Sequence, residues 1–225
     1  IDLESMRSKI TKKTKVIFIA NPGNPTGTVL SINKIEKFVK TISKKIIIVI
    51  DEAYYEYASY YGFKSSISLL NKYNNIIITR SFSKIHALAG VRVGYGLASK
   101  EIISNFNKIR QPFNVNYVAQ TMAMESLSDE KYLKKSLELN NIGMQFLKLE
   151  FKKLGISYID SYTNFMTVYL GNNAQLIYEM LLSEGVILRP LDNYGLPGYL
   201  RVTIGTKDEN VMFIKKLKKS LKRLK

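Results

Sequence analysis

Short apolar runs alternate with helical patterns over the first half of the chain. The runs Val16–Ala20, Ile46–Ile50 and Ile76–Ile78 predict strands, and the second run is bounded by charge, as is typical of a strand buried on both faces. Between the first two runs, Ser31 is a typical N-cap, and the apolar residues after it recur at helical spacing. This order favours βαβ units in a parallel sheet, to which Val91–Ala98 adds a further predicted strand.

The pattern changes after residue 110. Pro112 ends the preceding helix, and long helical stretches follow at 117–127 and 130–154. Beyond them, shorter strands are predicted at 156–159, 165–170, 185–188 and 200–204, with a helix at 174–183. We therefore predict an α/β protein with two domains, in which residues 1–110 belong to a large parallel-sheet domain and residues 111–225 form a small α+β domain.

The chain is strongly basic, with a formal net charge of +16. Clustered Lys and Arg are typical of proteins that bind nucleic-acid phosphates, but most lysines here are scattered along the chain. The one cluster, Lys215–Lys225, has apolar residues at helical spacing and predicts a terminal amphipathic helix with a basic outer face. The chain is also rich in Ile, Asn and Tyr, and joint enrichment of these residues with Lys is typical of an AT-rich genome. We therefore attribute the charge to compositional bias and predict no nucleic-acid partner.

Composition excludes several classes of site. The chain has no Cys and a single His, which excludes disulfides and thiolate ligands, and we predict no metal site. Apolar runs are all shorter than the roughly 18–20 residues of a membrane-spanning helix, and no signal peptide is recognisable. We therefore predict a cytoplasmic protein with no membrane partner. The chain begins at Ile1, as though cut from a longer protein.

Candidate chemistry is concentrated in the loops that follow the predicted strands. Lys84 comes after two hydroxyl side chains in the segment Ser81–Lys84, and Arg92 follows eight residues later. Open α/β sheets build their binding sites at the carboxyl ends of strands, so this loop predicts an amine beside a phosphate site. Asp51 directly follows Ile46–Ile50, where an acid is costly unless a positive partner meets it. Each residue taken singly also fits an ordinary role in a turn or cap.

Four ordered motifs resemble those of one enzyme family. They are Asn21–Gly27 (NPGNPTG), Asp51–Tyr54 (DEAY), Ser81–Tyr95 (SFSKIHALAGVRVGY) and Leu200–Thr206 (LRVTIGT). In order and spacing they are similar to the fold-type I aminotransferases that use pyridoxal 5'-phosphate, and within these to the histidinol-phosphate aminotransferases. The resemblance implies the carboxyl-terminal half of the family's large parallel-sheet domain, followed by its small α+β domain, in a homodimer.

The resemblance also implies roles for the motif residues around the cofactor. Lys84 matches the lysine that holds pyridoxal phosphate covalently and then moves the substrate proton. Asp51 matches the carboxylate that faces the pyridine nitrogen, and Asn24 and Tyr54 match the partners of the phenolic oxygen. The residues that match phosphate ligands are Ser81, Ser83 and Arg92. The catalytic residues implied in this way are Lys84, Asp51 and Tyr54.

A second set of residues is implied for the substrate. Arg201 and Arg189 match arginines that recognise its anionic groups, and Asn24 belongs with them. The implied activity moves an amino group between glutamate or 2-oxoglutarate and histidinol phosphate or imidazole acetol phosphate, in histidine biosynthesis. His86, two residues past Lys84, is expected only to pack or to form hydrogen bonds.

Three alternatives stay open on these motifs. Aromatic amino-acid aminotransferases and threonine-phosphate decarboxylases share them on the same fold, which does not decide the substrate. A non-catalytic, aminotransferase-like sensor domain of a transcription regulator is the alternative from another class. The family also carries a long segment before the matched region, with further cofactor contacts that these 225 residues lack. We therefore expect the 225-residue chain alone to show little or no aminotransferase activity.

Overall fold

The computed structural model describes residues 1–224, and the chain divides into two compact units. Unit 1 comprises Ile1–Gly23 and Val29–Leu133. Unit 2 comprises Asn24–Thr28 and the chain from Lys134 onward. One short loop near the amino terminus therefore belongs to the same unit as the carboxyl-terminal part of the chain.

Unit 1 is built on a four-stranded sheet with the order β1-β2-β3-β4. Its strands are β1 (Val16–Ala20), β2 (Ile47–Asp51), β3 (Ile76–Ser81) and β4 (Gly94–Ala98). Its helices are α1 (Leu3–Ser8), α2 (Ile32–Lys40), α3 (Tyr55–Ser59), α4 (Lys100–Ile109) and α5 (Tyr117–Ser128), with 3-10 turns at Ser66–Asn71 and Ala89–Val91. Strands β1, β2 and β3 run parallel, whereas β4 runs antiparallel to β3.

The apolar runs form the parallel strands because their side chains fill the core of unit 1. Ile48 and Ile50 of β2 are fully buried and pack in one cluster with Phe38 of α2. Ser31 caps α2 as predicted, its side chain accepting a hydrogen bond from the backbone N–H of Lys34. The predicted burial of β2, and its place inside a parallel sheet, are therefore confirmed.

The fourth strand differs from the prediction of a parallel sheet. β4 is antiparallel and begins at Gly94, because the preceding residues Ala89–Val91 form a 3-10 turn and Arg92 has φ 57°. A left-handed residue cannot continue an extended strand. Within the described chain, the connection from β3 to β4 contains no α-helix, and a parallel pair needs a long crossover.

Unit 2 contains a second four-stranded sheet, antiparallel throughout, with the order β5-β6-β8-β7. Its strands are β5 (Tyr158–Ile159), β6 (Phe165–Tyr169), β7 (Arg189–Pro190) and β8 (Tyr199–Thr203), and its helices are α6 (Glu130–Leu154, whose first turn lies in unit 1), α7 (Ala174–Ser183) and α8 (Lys207–Lys222). The strand predicted at Gly185–Leu188 is wrong, since Gly185 has φ 80° in the turn after α7 and pairing starts only at Arg189.

The core of unit 2 lies where its helices cover the sheet. Leu147 and Phe151 of α6, Leu181 of α7 and Leu217 of α8 are buried in one cluster with the sheet residue Met166. The outer face of α8 carries lysines, as the basic amphipathic pattern predicted. The predicted helix in the tail is therefore confirmed over the described residues.

The two units part later in the chain than the predicted boundary after residue 110. Helix α5 belongs to unit 1 because Ala119 and Ala123 pack against Phe82 and Val93, on either side of the 3-10 turn after β3. The long helix α6, which starts in unit 1, then carries the chain into unit 2.

Two kinds of feature are absent from residues 1–224. No helix in that range is long and apolar enough to cross a membrane. No group of three or more His, Cys, Asp or Glu side chains in the same range is placed to hold a metal ion.

Candidate active site

The carboxyl edge of the parallel strands in unit 1 carries the predicted lysine and its neighbours. Asp51 is the last residue of β2, and Ser81 is the last residue of β3. Asp51 pairs with Thr79 in register, and side chains alternate between the two faces of a sheet. Asp51, Thr79 and Ser81 therefore share one face, and Lys84 follows three residues beyond β3.

A tight turn after β3 holds Lys84. The backbone N–H of Ser83 donates to Ser81 Oγ at 2.9 Å, and the N–H of Ala87 donates to the carbonyl of Lys84 at 3.0 Å. The amine of Lys84 lies 5.3 Å from the ring centroid of Tyr54, which is buried at the start of α3. Lys84 itself is exposed, so its amine is open to a ligand.

The same loop ends at Arg92 in the left-handed conformation. Its Nη1 donates to the carbonyl of Ala89 at 2.6 Å, and the residue is exposed. With the hydroxyls of Ser81 and Ser83, Arg92 supplies donors of the kind that phosphate oxygens accept. Together with Lys84 and Asp51, these side chains offer an amine, two hydroxyls, a guanidinium and a carboxylate. This set of groups fits a phosphorylated aldehyde that carries a basic ring nitrogen.

Asp51 is not buried, as was expected of an acid at the end of this strand, and the functional partner expected for it stays a prediction. Asp51 is exposed, and its Oδ1 accepts a hydrogen bond from the N–H of Ala53 at 3.0 Å. The buried acid is the next residue, Glu52, whose Oε2 lies 2.9 Å from Arg80 Nη2. Strand alternation is the signal that could have found it, because Glu52 and Arg80 both fall on the face opposite Asp51.

The predicted substrate residues lie together in unit 2. Arg201 Nη1 donates to Asn24 Oδ1 at 2.6 Å, and its guanidinium lies 5.0 Å from the ring centroid of Phe165. Arg201 on β8 pairs in register with Arg189 on β7, so the two side chains share a face of the sheet. The Nε atom of Arg201 is buried and meets no hydrogen-bond partner in the described chain. Like charges directly opposite each other are unfavourable, so this pair favours an anion.

Strand β6 and the residues before it anchor the loop that carries Asn24. Thr167 Oγ1 donates to the carbonyl of Pro25 at 2.5 Å, and the N–H of Tyr162 donates to the carbonyl of Gly27 at 2.8 Å. Gly27 has φ 73°, and a Cβ there would meet Ser161 Oγ at 2.0 Å. Only glycine fits this approach, which explains the last residue of the Asn21–Gly27 motif.

His86 lies beneath the lysine loop. It is buried, its ring packs at a tilt on Phe82 with centroids 5.0 Å apart, and it forms a hydrogen bond with the backbone of Ser126 on α5. These contacts tie the loop of Lys84 to α5. They agree with the packing and hydrogen-bonding role expected for this residue.

Known proteins decide the family. The sequence model described as aminotransferase class I and II matches residues 1–217. The chain belongs to this aminotransferase family. Among curated relatives of this aminotransferase chain, histidinol-phosphate aminotransferase 1 of Idiomarina loihiensis is 46% identical over 218 residues, which cover 97% of this chain and 59% of that relative.

Solved structures agree with this family. Histidinol-phosphate aminotransferase from Clostridium acetobutylicum matches with a TM-score of 0.92 at 30% identity, covering 99% of this chain and 68% of that one. The enzyme from Sinorhizobium meliloti, solved in complex with pyridoxal 5'-phosphate, matches with a TM-score of 0.88 at 27% identity, covering 100% of this chain and 62% of that one. The predicted fold-type I architecture is therefore confirmed for this aminotransferase chain. The chain spans 59% of the length of its curated relative from Idiomarina loihiensis.

Proposed function

We propose that this chain is part of a pyridoxal-phosphate-dependent histidinol-phosphate aminotransferase. Such an enzyme moves an amino group between glutamate or 2-oxoglutarate and histidinol phosphate or imidazole acetol phosphate. The observation that carries the proposal is the exposed amine of Lys84 at the carboxyl edge of the sheet, on the same edge as Asp51 and Ser81. The 46% identity to a curated histidinol-phosphate aminotransferase supports the choice of substrate.

The residues of unit 1 would hold the cofactor. Ser81, Ser83 and Arg92 would donate to its phosphate, and the carboxylate of Asp51 would face its pyridine nitrogen. Bound there, pyridoxal phosphate supplies an aldehyde for the amino group and a ring that withdraws electrons from it. Tyr54, buried beside Lys84, would donate its phenolic O–H to the cofactor's ring oxygen.

Lys84 would move the proton. Its amine would take the proton from the substrate Cα and return it to the carbon on the other side of the transferred nitrogen. One amine would thus act first as a general base and then as a general acid. The turn from Ser81 to Ala87 fixes the backbone of this lysine, while its long side chain keeps the reach that two proton positions require.

Arg201 and Arg189 would bind the substrate anion. A guanidinium offers a planar fork of N–H donors that suits both carboxylate and phosphate, so one pair of arginines serves both half-reactions. Asn24 accepts a hydrogen bond from Arg201 Nη1 and so orients that fork. The buried, unpartnered Nε of Arg201 among the described residues is a donor that an anion would satisfy.

The visible absorption spectrum of the complete gene product with pyridoxal phosphate tests the proposed cofactor site. We expect an absorption band that depends on Lys84 and is lost in Lys84→Ala. The matched control is Lys100→Ala, an exposed lysine at the start of α4, which should leave the band unchanged. A band that persists in Lys84→Ala would contradict the proposal.

Rates on three substrates test the choice of substrate. We expect the complete gene product to transfer the amino group of histidinol phosphate to 2-oxoglutarate faster than that of phenylalanine. Threonine phosphate should lose no carbon dioxide. Failure on histidinol phosphate with turnover of another substrate would point to the sibling enzymes, and cofactor binding with no turnover at all would point to a sensor domain.

A homodimer is the assembly that we propose, on the evidence of one exposed apolar surface in unit 1. The apolar residues of α5 are not confined to its packed face, because Ala119 and Ala123 are buried whereas Tyr117, Met124 and Leu127 are exposed. Ile109 and Phe113, just before it, are exposed as well. A second copy of the chain is the partner that we propose for this surface, in the cytoplasm where biosynthetic enzymes of this kind act.

A further inference from the structure

A buried ion pair lies behind the candidate cofactor site. Glu52 is 2% exposed, and Oε2 of its carboxylate accepts hydrogen bonds from Arg80 Nε at 3.2 Å and Arg80 Nη2 at 2.9 Å. Neither residue belongs to the set of side chains assigned to the cofactor or the substrate. Both, however, are direct chain neighbours of that set, since Glu52 follows Asp51 and Arg80 precedes Ser81.

Every oxygen of the Glu52 carboxylate has a donor. Ser65 Oγ donates to Oε2 at 2.7 Å, and the backbone N–H of Ser66 donates to Oε1 at 2.6 Å. On the other side, Arg80 Nη2 donates to Ser65 Oγ at 2.9 Å, and the guanidinium stacks 4.1 Å from the ring centroid of Tyr55. A guanidinium held by a fork, a hydroxyl and an aromatic face has one orientation only.

The Glu52–Arg80 ion pair links β2 and β3 just beyond the end of their backbone hydrogen-bond ladder. Asp51 and Thr79 are the last residues of the two strands in register, and the N–H of Glu52 donates to the carbonyl of Thr79 at 2.8 Å. At Arg80 and Ser81, β3 is still paired with β4 but no longer with β2, and the side chains of Glu52 and Arg80 connect it to β2 there. The relative position of Asp51 and Ser81 therefore depends on this side-chain contact.

Stability alone is a poor explanation for charges at this place. Moving two charges out of water is costly, and well-packed apolar side chains of similar volume often give equal or better stability. Removing a single partner, in contrast, leaves an uncompensated buried charge. An ion pair with a fixed orientation is better suited to holding two strand ends in register than to stabilising the fold.

We propose that Glu52 and Arg80 are positioning residues, which hold the carboxylate of Asp51 and the Ser81–Lys84 loop at the spacing that a bound cofactor requires. This inference rests on the proposed function, because it assigns Asp51 to the ring nitrogen and the loop to the phosphate and aldehyde. Neither positioning residue touches the cofactor. The pair acts from the opposite face of the sheet, through the backbone of the two strand ends.

The decisive variant replaces both charges with apolar side chains, Glu52→Leu with Arg80→Met. We expect this double variant to fold, since no buried charge is left unpaired, with a thermal midpoint lowered only by the loss of the acceptor for Ser66 N–H. It should bind pyridoxal phosphate at least about tenfold more weakly, as loss of supporting contacts does at other sites. The visible circular dichroism of the bound cofactor should also change, because it reports the orientation of the ring against the protein.

Two further variants keep the proposal testable if the double variant does not fold. Glu52→Gln retains one acceptor oxygen, for Ser66 N–H, and presents an amide N–H to Ser65 Oγ, whereas Arg80→Lys retains the positive charge without the fork. Arg80→Lys keeps an ion pair and should fold, and Glu52→Gln should lower the thermal midpoint because it leaves the Arg80 charge without its carboxylate. We expect both to show weaker cofactor binding with an altered circular dichroism band. The matched control is Glu36→Gln, which removes a carboxylate that pairs with Lys72 at 3.1 Å on the surface of the same unit, and which should change neither.

The outcomes separate this inference from the proposed function. An absorption band that requires Lys84 in the unaltered protein, together with unchanged affinity and circular dichroism in all three variants, would overturn the positioning role and leave the proposed function standing. A protein with no lysine-dependent band at all would overturn the proposed function itself. Affinity that falls in the variants, with Glu36→Gln unchanged, supports the positioning role.

Discussion

Arg201 is the residue whose surroundings point most directly to an anion. Its guanidinium has one hydrogen bond to Asn24, an aromatic neighbour in Phe165 and a second arginine, Arg189, opposite it on the sheet. A ring face and a neutral amide orient the positive charge without neutralising it. The arrangement leaves the charge of Arg201 available to a ligand.

Replacing Arg201 with lysine should weaken substrate binding while the cofactor band stays. A lysine keeps the charge but loses the planar fork, so substrate binding should lose about 1.5–3 kcal/mol of charge-assisted hydrogen bonding. At about 1.4 kcal/mol per tenfold change, we expect KM for histidinol phosphate to rise about 10–100-fold. Steady-state kinetics measure this, with Arg110→Lys as the control, because the guanidinium of Arg110 bonds the exposed Asn114 in unit 1. Equal KM values for both variants would remove Arg201 from the substrate set.

His86 should make the stability of the fold depend on pH. Burial lowers the pKa of His86 below its usual value, against the opposing effect of its hydrogen bond with the backbone of Ser126. The unfolded chain therefore binds a proton at a higher pH than the folded chain does. Stability is fully present above the unfolded pKa of about 6.5 and is lost as pH falls below it, towards the lowered folded pKa.

Thermal unfolding across this range tests the effect. His86→Gln should flatten the loss of thermal midpoint as the pH falls below about 6.5. Glu56→Gln is a control of opposite sign, because burial raises the pKa of the Glu56 carboxyl, so that this group favours the folded state at low pH and disfavours it as pH rises. An acid loss that is equally steep with and without His86 would exclude the imidazole as its source.

Residues that belong to a sequence motif could be predicted from the sequence. Residues whose role depends on a contact between strands were harder to predict. Lys84 stands in a loop whose position after a strand follows from the apolar pattern, and the structure has it there, whereas Ser81 ends β3 and Arg92, predicted inside a strand, lies before β4. Glu52 and Arg80 were missed, because their meaning depends on which strand lies beside which. The burial expected of Asp51 was assigned one residue too early, since alternation decides which of two adjacent acids turns inward.

At the scale of elements, α6 shows how closely a helix can pack when one residue is glycine. A Cβ on Gly143 would lie 2.5 Å from Ile204 Cγ2 and 2.9 Å from Asn210 Nδ2, beside the start of α8. The methyl belongs to a β-branched side chain with little freedom to move away. Gly143 therefore allows α6 to approach the loop between β8 and α8.

The variant Gly143→Ala should destabilise the protein although alanine favours helix. Overpacking costs about 1–3 kcal/mol, whereas the gain in helix propensity is about 1 kcal/mol. We expect a net loss of up to about 2 kcal/mol and a lower thermal midpoint. Gln145→Ala, an exposed position on the same helix, should stay within about 0.5 kcal/mol of the original. A stabilised Gly143→Ala protein would mean that Ile204 gives way.

Helices were predicted better than strands, for a physical reason. Helix α6 occupies 130–154 as predicted, because a helix is specified by its own periodicity and end signals. A strand is specified by its partners. The direction of β4 and the late start of β7 depend on left-handed residues and on pairing across the sheet, which the local pattern does not contain.

For the whole molecule, the net charge is +16, and several lysines on the surface of unit 2 form ion pairs with its carboxylates. Lys218 and Lys153 both bond Glu150, at 2.6 and 2.7 Å, and Lys219 bonds Glu184 at 2.8 Å. Lys216 donates to the carbonyl of Glu184. Several lysines of the basic outer face of α8 are thus engaged within the protein, and the absence of a nucleic-acid partner stays a prediction.

Assembly is tested by placing a charge on the exposed apolar surface of unit 1. If a second copy covers α5, Leu127→Glu buries a carboxylate at the interface and should shift the protein from dimer to monomer, because an unpaired buried charge is highly unfavourable. Leu182→Glu is the matched control, since Leu182 is also exposed but lies on α7 in unit 2. Sedimentation velocity of the complete gene product measures both, and a dimer that survives Leu127→Glu would reject this surface as the interface.

The loop at Asn24–Thr28 has a consequence for the order of events during synthesis. Its bonds to Thr167 and Arg201 span 142 and 177 residues of sequence. At about 5–20 residues per second, roughly 9–35 s pass between the addition of residue 24 and that of residue 201. Once the chain has been made through α5, the lysine loop can settle on its sheet, while the Asn24 loop still lacks Tyr162, Thr167 and Arg201. A ribosome stalled before Ser161 would therefore carry a chain with the proposed cofactor lysine in place and the proposed substrate residues unassembled.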